Sequence, residues 1–130
     1  MFEKVGSPRF CTLSTIDEKG RPWGAPVFYA WDEDGKIYWT SSLGAQHSVN
    51  ISQKPDIYIT ILSENPDHEK IGQNCLYLSG QAFEIKEIDE VTSARRVLCE
   101  RMKIESKNPE TFFGDALPPL LQNPISHFCS

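Results

Sequence analysis

The chain has 130 residues, a formal net charge of -5 and a pI near 5.1, a length that suits one domain burying about two thirds of its unfolded surface. Its acidic balance argues against a nucleic-acid partner, because a phosphate backbone demands a basic face, yet leaves room for a small anionic ligand where donors converge. No run reaches the roughly 18 apolar residues of a membrane span, and the first ten residues, with Glu3, Lys4, Gly6 and Pro8, lack the apolar core of a signal peptide, so the expectation is a cytoplasmic protein with no membrane partner.

Residues 9–16 read as a strand with Cys11, Leu13 and Thr15 on one face. It ends at Asp17-Glu18-Lys19-Gly20, a turn whose glycine can take the left-handed conformation. The second strand, residues 22–32, sets Trp23, Ala25, Val27, Tyr29 and Trp31 on one side and Gly24, Pro26, Phe28 and Ala30 on the other. Neither face suits water, so a second layer, a partner chain or a flat ligand must cover it. Asp32-Glu33-Asp34-Gly35 repeats the turn chemistry and delivers a third strand, residues 36–41, completing an antiparallel meander.

Thr40, Ser41 and Ser42 then run into a helix of about residues 43–53, with Ser42 as its candidate cap and Lys54-Pro55 as its stop. Three consecutive hydroxyls at a helix start gather side-chain and backbone donors around one point, where the helix dipole also favours an anion. The junction therefore reads as a phosphate cradle. Neither Gly-x-Gly-x-x-Gly nor Gly-x-x-x-x-Gly-Lys is present, which excludes a Rossmann or P-loop version of it.

Residues 56–62 alternate Ile57, Ile59 and Ile61 inward as a fourth strand, and residues 63–74, with Pro66 and Gly72, form a polar loop. Residues 76–86 form a fifth strand whose apolar phase slips at Gly80, from Leu76 and Leu78 to Phe83 and Ile85, which predicts a bulge or barrel corner. Residues 89–104 are the clearest helix, with Val91, Ala94, Leu98 and Met102 as the stripe that packs on the barrel. Beyond it, Pro109, Pro118, Pro119 and Pro124 break regular structure, and residues 105–130 read as an irregular tail with an extended apolar segment at residues 117–121. The whole chain, 1–130, is read as a single domain. Cys11, Cys75, Cys99 and Cys129 form no Cys-x-x-Cys pair and read as reduced thiols, not as a disulfide framework or a zinc site.

Cys11-Thr12-Leu13-Ser14-Thr15, Gly20-Arg21-Pro22-Trp23-Gly24-Ala25-Pro26-Val27, Ile37-Tyr38-Trp39-Thr40-Ser41-Ser42 and His47-Ser48-Val49-Asn50-Ile51 resemble, in order and spacing, the pyridoxamine 5'-phosphate oxidase-like, FMN-binding split-barrel family. The resemblance covers roughly residues 8–104. It implies a mostly β fold with α: a split antiparallel β-barrel of about six strands, Greek-key-like, with a short helix after strand 3 and a longer one after strand 5. It also implies a homodimer with FMN in each of two clefts between the chains. By this resemblance the backbone of Ala25, Pro26, Val27 and Phe28 would run beside the isoalloxazine ring, while Trp39, Thr40, Ser41, Ser42, Gln46, His47 and Ser48 would reach the ribityl chain and phosphate.

Many relatives place Lys where this chain has Gln46 and Arg where it has Val49. At about 1.5–3 kcal/mol per charge-assisted bond, losing both cations without compensation weakens FMN binding by about two to four orders of magnitude. Relatives also commonly finish with a further strand carrying an aromatic, often Trp, whereas residues 118–130 show neither alternation nor Trp. The cleft would then be more open, or closed by Phe128 or by the partner's tail.

Flavin chemistry asks a protein for orientation, backbone hydrogen bonds and exclusion of water, so no catalytic side chain is assigned. Ser41, Ser42, Ser48 and His47 resemble a nucleophile and base, but no acid at readable spacing orients the histidine, and hydrolysis is set aside. His68 and His127 read as loop and tail residues, and no three ligands share metal spacing. The function expected is an FMN-binding oxidoreductase that passes hydride through flavin to an unknown small substrate, with NAD(P)H as candidate reductant. The alternative is a non-enzymatic flavin or haem binding or storage protein using the same dimer cleft.

Overall fold

Two aspartate-to-glycine turns build the first hairpins. Asp17 Oδ1 accepts the backbone N–H groups of Lys19 and Arg21 at 2.9 and 2.8 Å, and Gly20 completes the turn at φ +79°, a conformation only glycine adopts freely. Asp32 repeats the device, accepting from the N–H groups of Asp34 and Lys36 at 2.9 Å each, with Gly35 at φ +81°. The three strands so joined are β1 (Phe10–Ile16), β2 (Pro22–Trp31) and β3 (Ile37–Thr40). The computed structural model describes the backbone of residues 8–62, 75–105 and 125–129, and side chains up to residue 102. The expected loop at residues 63–74 and the apolar segment at 117–121 lie outside the described residues.

Helix α1 (Gln46–Gln53) follows, then β4 (Asp56–Leu62), β5 (Cys75–Glu84), helix α2 (Ile88–Glu105) and β6 (Ile125–Cys129). The strands pair in the order β1-β2-β3-β6-β5-β4 and close into an antiparallel barrel. The fold is the mostly β split barrel with two helices that the resemblance implied, and the last strand returns between β3 and β5.

Alternation fills the barrel. Cys11, Leu13, Val27, Tyr29, Ile37, Trp39, Ile57, Ile59, Ile61 and Ala82 point inward, and Ile51 of α1 joins them from one end. Burial pushes the Cys11 thiol up to about 12, so it packs as an inert apolar group; Cys11, Cys75 and Cys99 are free. Outside the barrel, Ala94 and Leu98 of α2 bury Ala30, Tyr38 and Ile85, with Phe28, Val91 and Met102 at the margin. The apolar stripe of the second helix thus covers part of the outer face of β2, as its 3.6-residue period predicts.

Three expectations are corrected. The β4–β5 register runs unbroken from Asp56↔Gln81 to Leu62↔Cys75, so Gly80 carries no bulge. Ala82 holds the inward position after Gly80, Phe83 faces out, and Ile85 sits beyond the strand under α2; a small inward residue had mimicked a change of phase. Helix α1 begins at Gln46, not near residue 43, because Leu43 and Gly44 form a turn in which Ser42 Oγ accepts the Gly44 N–H at 3.2 Å. Ala45 holds the cap position without a side-chain bond, so Ser42 is not the cap. Finally, the tail over 105–130 is not irregular throughout: β6 pairs with β3 from Ile37↔Phe128 to Thr40↔Ile125 and with β5 from Gln81↔Cys129 to Glu84↔Ser126. Two strand edges with unpaired amides and carbonyls recruit a five-residue strand for its backbone, whatever its side-chain pattern.

Candidate cofactor site at the head of helix α1

The hydroxyl triplet leaves β3 at one end of the barrel and its members part there. Thr40 is buried, and its Oγ1 has no hydrogen-bond partner among the described residues. Ser41 is also buried, with Oγ 2.7 Å from His47 Nε2. Ser42 is exposed and committed to its own turn. Ser41 and His47 therefore form the joined pair of the junction, held by a one-turn step from strand end to helix start. The first turn of α1 contains no acid, which leaves the positive end of its dipole unopposed. Burial alone draws the His47 pKa below its ordinary 6.5.

Two open grooves flank α1 and meet at Val49. One, of ≈ 560 Å³, is lined by Ser41, Ser48, Ser52, Phe83, Glu84 and Lys86 among others. The other, of ≈ 340 Å³, is lined by Gln46, Asn50, Gln53, Trp23, Arg21 and the neighbouring turn. Gln46 thus lies on a different flank from Ser41 and Ser48. Its Nε2 donates to Asn50 Oδ1 at 2.7 Å, and Asn50 Nδ2 donates to Thr15 Oγ1 at 2.9 Å. This chain of amides and hydroxyl ties the helix to β1.

The β2 residues separate by face. Val27 is in the core, as is Trp39 at 0% exposure, its Nε1 without a hydrogen-bond partner among the described residues, so both can offer a ligand only backbone. Phe28 packs edge-on against Phe10 with centroids 6.3 Å apart. Tyr29 lies opposite Trp39, so Phe28 and Thr40 are the next residues on adjoining strands. Ala25 is half-buried and Pro26 exposed. Pro26 continues across the sheet through Thr12, Thr60 and Tyr77, and Gly24 continues through Ser14, Tyr58 and Ser79. Among the described residues no element covers this outer strip: Tyr58 and Tyr77 are 44% and 56% exposed and stacked at 6.3 Å, and Ser14 and Thr60 are half-buried. A Cβ on Gly24 would meet just Thr12 Cγ2, at 3.9 Å.

Two residues of consequence escaped the sequence reading. Asn50 is 1% exposed; its signal is an amide on the barrel-facing side of a short helix, four residues after Gln46. Arg101 is 8% exposed, over the rings of Tyr29 and Trp31 at 4.9 and 4.5 Å, and donates to the Pro8 carbonyl. Its signal was position, since it lies seven residues after Ala94 and continues the buried stripe.

Among solved structures, a conserved hypothetical protein from Mycobacterium tuberculosis superposes with a TM-score of 0.71 and 19% identity, over 99% of this chain and 76% of that one. A haem-binding protein from Mycobacterium smegmatis gives 0.69 and 19%, over 98% of this chain and 49% of that one. An F420 reductase gives 0.58 and 15%, over 96% and 87%. Identities at this level show a shared fold. No curated protein matches the chain in sequence. The family model for pyridoxamine 5'-phosphate oxidase matches residues 1–119. With the six-stranded barrel and the helix at its end, that match makes the chain a member of the pyridoxamine 5'-phosphate oxidase-like family.

Proposed function

We propose that the chain binds FMN in a cleft between two copies of itself and uses it to transfer hydride to a small substrate. The observation that carries this reading is the Ser41–His47 pair at the acid-free start of α1: a hydroxyl, an imidazole and free helix amides form a donor set suited to a phosphate. Ser41, Ser42, His47 and Ser48 would hold the phosphate and ribityl chain, with Trp39, Thr40 and Gln46 at the margin. The backbone of Ala25, Pro26, Val27 and Phe28 would border the ring. The uncovered strip through Pro26, Thr12, Thr60 and Tyr77 is the surface on which a second copy closes the cleft and excludes water. Bound FMN supplies hydride acceptance and release, so the protein's task is binding and orientation. NADH or NADPH is the proposed reductant.

Neutral Gln46 and Val49 favour a second reading, a flavin or haem binding or storage protein using the same cleft. Reconstitution with FMN tests the first reading: a visible flavin band and quenched fluorescence are expected, with turnover on NADH or NADPH. Absence of the band and of quenching abandons it. Retained flavin without turnover favours storage, and a thermal shift with haem but not FMN favours a haem protein, since a ligand that binds the folded state raises its apparent stability.

A further inference from the structure

Among the described residues the half-buried His47 ring has one hydrogen bond, Nε2 to Ser41 Oγ, so Nδ1 is free of protein partners there. The charged groups lining the two flanks of α1 are Glu84 and Lys86 on the β5 side and Asp17, Glu18, Lys19 and Arg21 on the β1–β2 side. None of them is bonded to the ring. The lowered pKa of His47 has burial as its cause, so the free protein carries it neutral at pH 7.5.

In the neutral state with Ser41 donating to Nε2, the hydroxyl hydrogen is used within the pair and is not available to an anion. A proton added at Nε2 reverses that bond. Nε2–H then donates to Ser41 Oγ and the Ser41 hydroxyl hydrogen is released toward another acceptor, while Nδ1–H, already a donor in this neutral tautomer, remains one and now belongs to a cation. One proton turns a neutral pair with a single free donor into a cation with two, at the helix end where Gln46 and Val49 supply no charge.

Building on the FMN reading above, we propose that the phosphate of the bound ligand enters together with one proton taken up at His47, an acquired cation in place of fixed ones. The ligand class is a phosphomonoester dianion, since the second phosphate pKa is about 6. Its affinity falls as the pH rises, because deprotonating the ring removes the charge and recaptures the serine hydrogen. The slope approaches about tenfold per pH unit while the complex stays protonated and the free protein does not.

Isothermal titration of FMN at pH 7.5 in two buffers of different ionisation enthalpy counts the protons. Uptake approaching one proton per FMN is expected, with none for riboflavin, which lacks the phosphate. His47→Gln should bind FMN more weakly, with no uptake and a flat pH profile. In the wild-type complex the His47 ring signals by nuclear magnetic resonance should be those of an imidazolium, a readout independent of the variant's folding. FMN binding without uptake, uptake that persists in His47→Gln, or a neutral His47 ring in the complex overturns the proton coupling and leaves the flavin reading standing. Failure of both FMN and riboflavin to bind overturns both.

Discussion

Arg101 is the buried charge of the described residues, and its environment explains why it is Arg. A planar guanidinium can lie over the Tyr29 and Trp31 rings and still donate to the Pro8 carbonyl, whereas a lysine ammonium presents no flat face. Each ring contact contributes about 0.5–2 kcal/mol in such a desolvated setting. Arg101→Ala should therefore destabilise the protein by about 2–4 kcal/mol, counting the lost packing, and Arg101→Lys should recover less than half. Urea unfolding measures both, and an alanine variant of wild-type stability would refute this role. That Ser41 and His47 stand near the start of one helix was legible in the sequence, from the run of hydroxyls followed by the helical segment. Their direct contact was not, since the turn from Ser42 to Ala45 decides which hydroxyl meets the ring. Arg101 drew no reading from the sequence because Tyr29, Trp31 and Pro8 are distant from it along the chain and only the fold brings them together.

Helix α1 stays in place through side chains that its amphipathicity does not reveal. It has few apolar residues, and Ile51 is its buried one, so the Gln46–Asn50–Thr15 chain contributes much of its attachment. Asn50→Leu leaves Thr15 and Gln46 without that partner and should cost about 1–3 kcal/mol. Hydrogen exchange should then show α1 opening ahead of the barrel strands. Unchanged protection of α1 would mean that Ile51 suffices. At this scale the strands of the first meander were readable, because the Asp-to-Gly turns enforce their boundaries and their side chains alternate. The start of α1 was not, because a turn of Leu and Gly differs little from a first helical turn. Strand β6 escaped for a different reason: its place depends on the edges of β3 and β5, a long-range demand with no local signature.

Across the whole molecule, one face of β2 is consumed by the barrel and part of the other by α2, and the remaining strip ends in exposed Gly24 and Pro26. The barrel and α2 thus account for much of the two-sided apolar character of β2, and the proposed second copy would cover the rest. Thr12, Ser14, Gly24 and Thr60 give the strip small side chains, and the Tyr58–Tyr77 pair borders it. Thr60→Arg at its centre should give a folded monomer that loses FMN if the proposed second copy packs here, since burying an unpaired guanidinium carries a penalty of several kcal/mol. The barrel was legible because its alternation is regular; its closure and the parting of Gln46 from Ser41 required the folded chain. The most direct test of a flavin held between two copies is sedimentation velocity of the FMN-loaded protein followed at the flavin's own absorbance. The colour is expected to sediment as one boundary at twice the 14.8 kDa chain mass. Colour that stays behind as free flavin, or travels with a single chain, would contradict it.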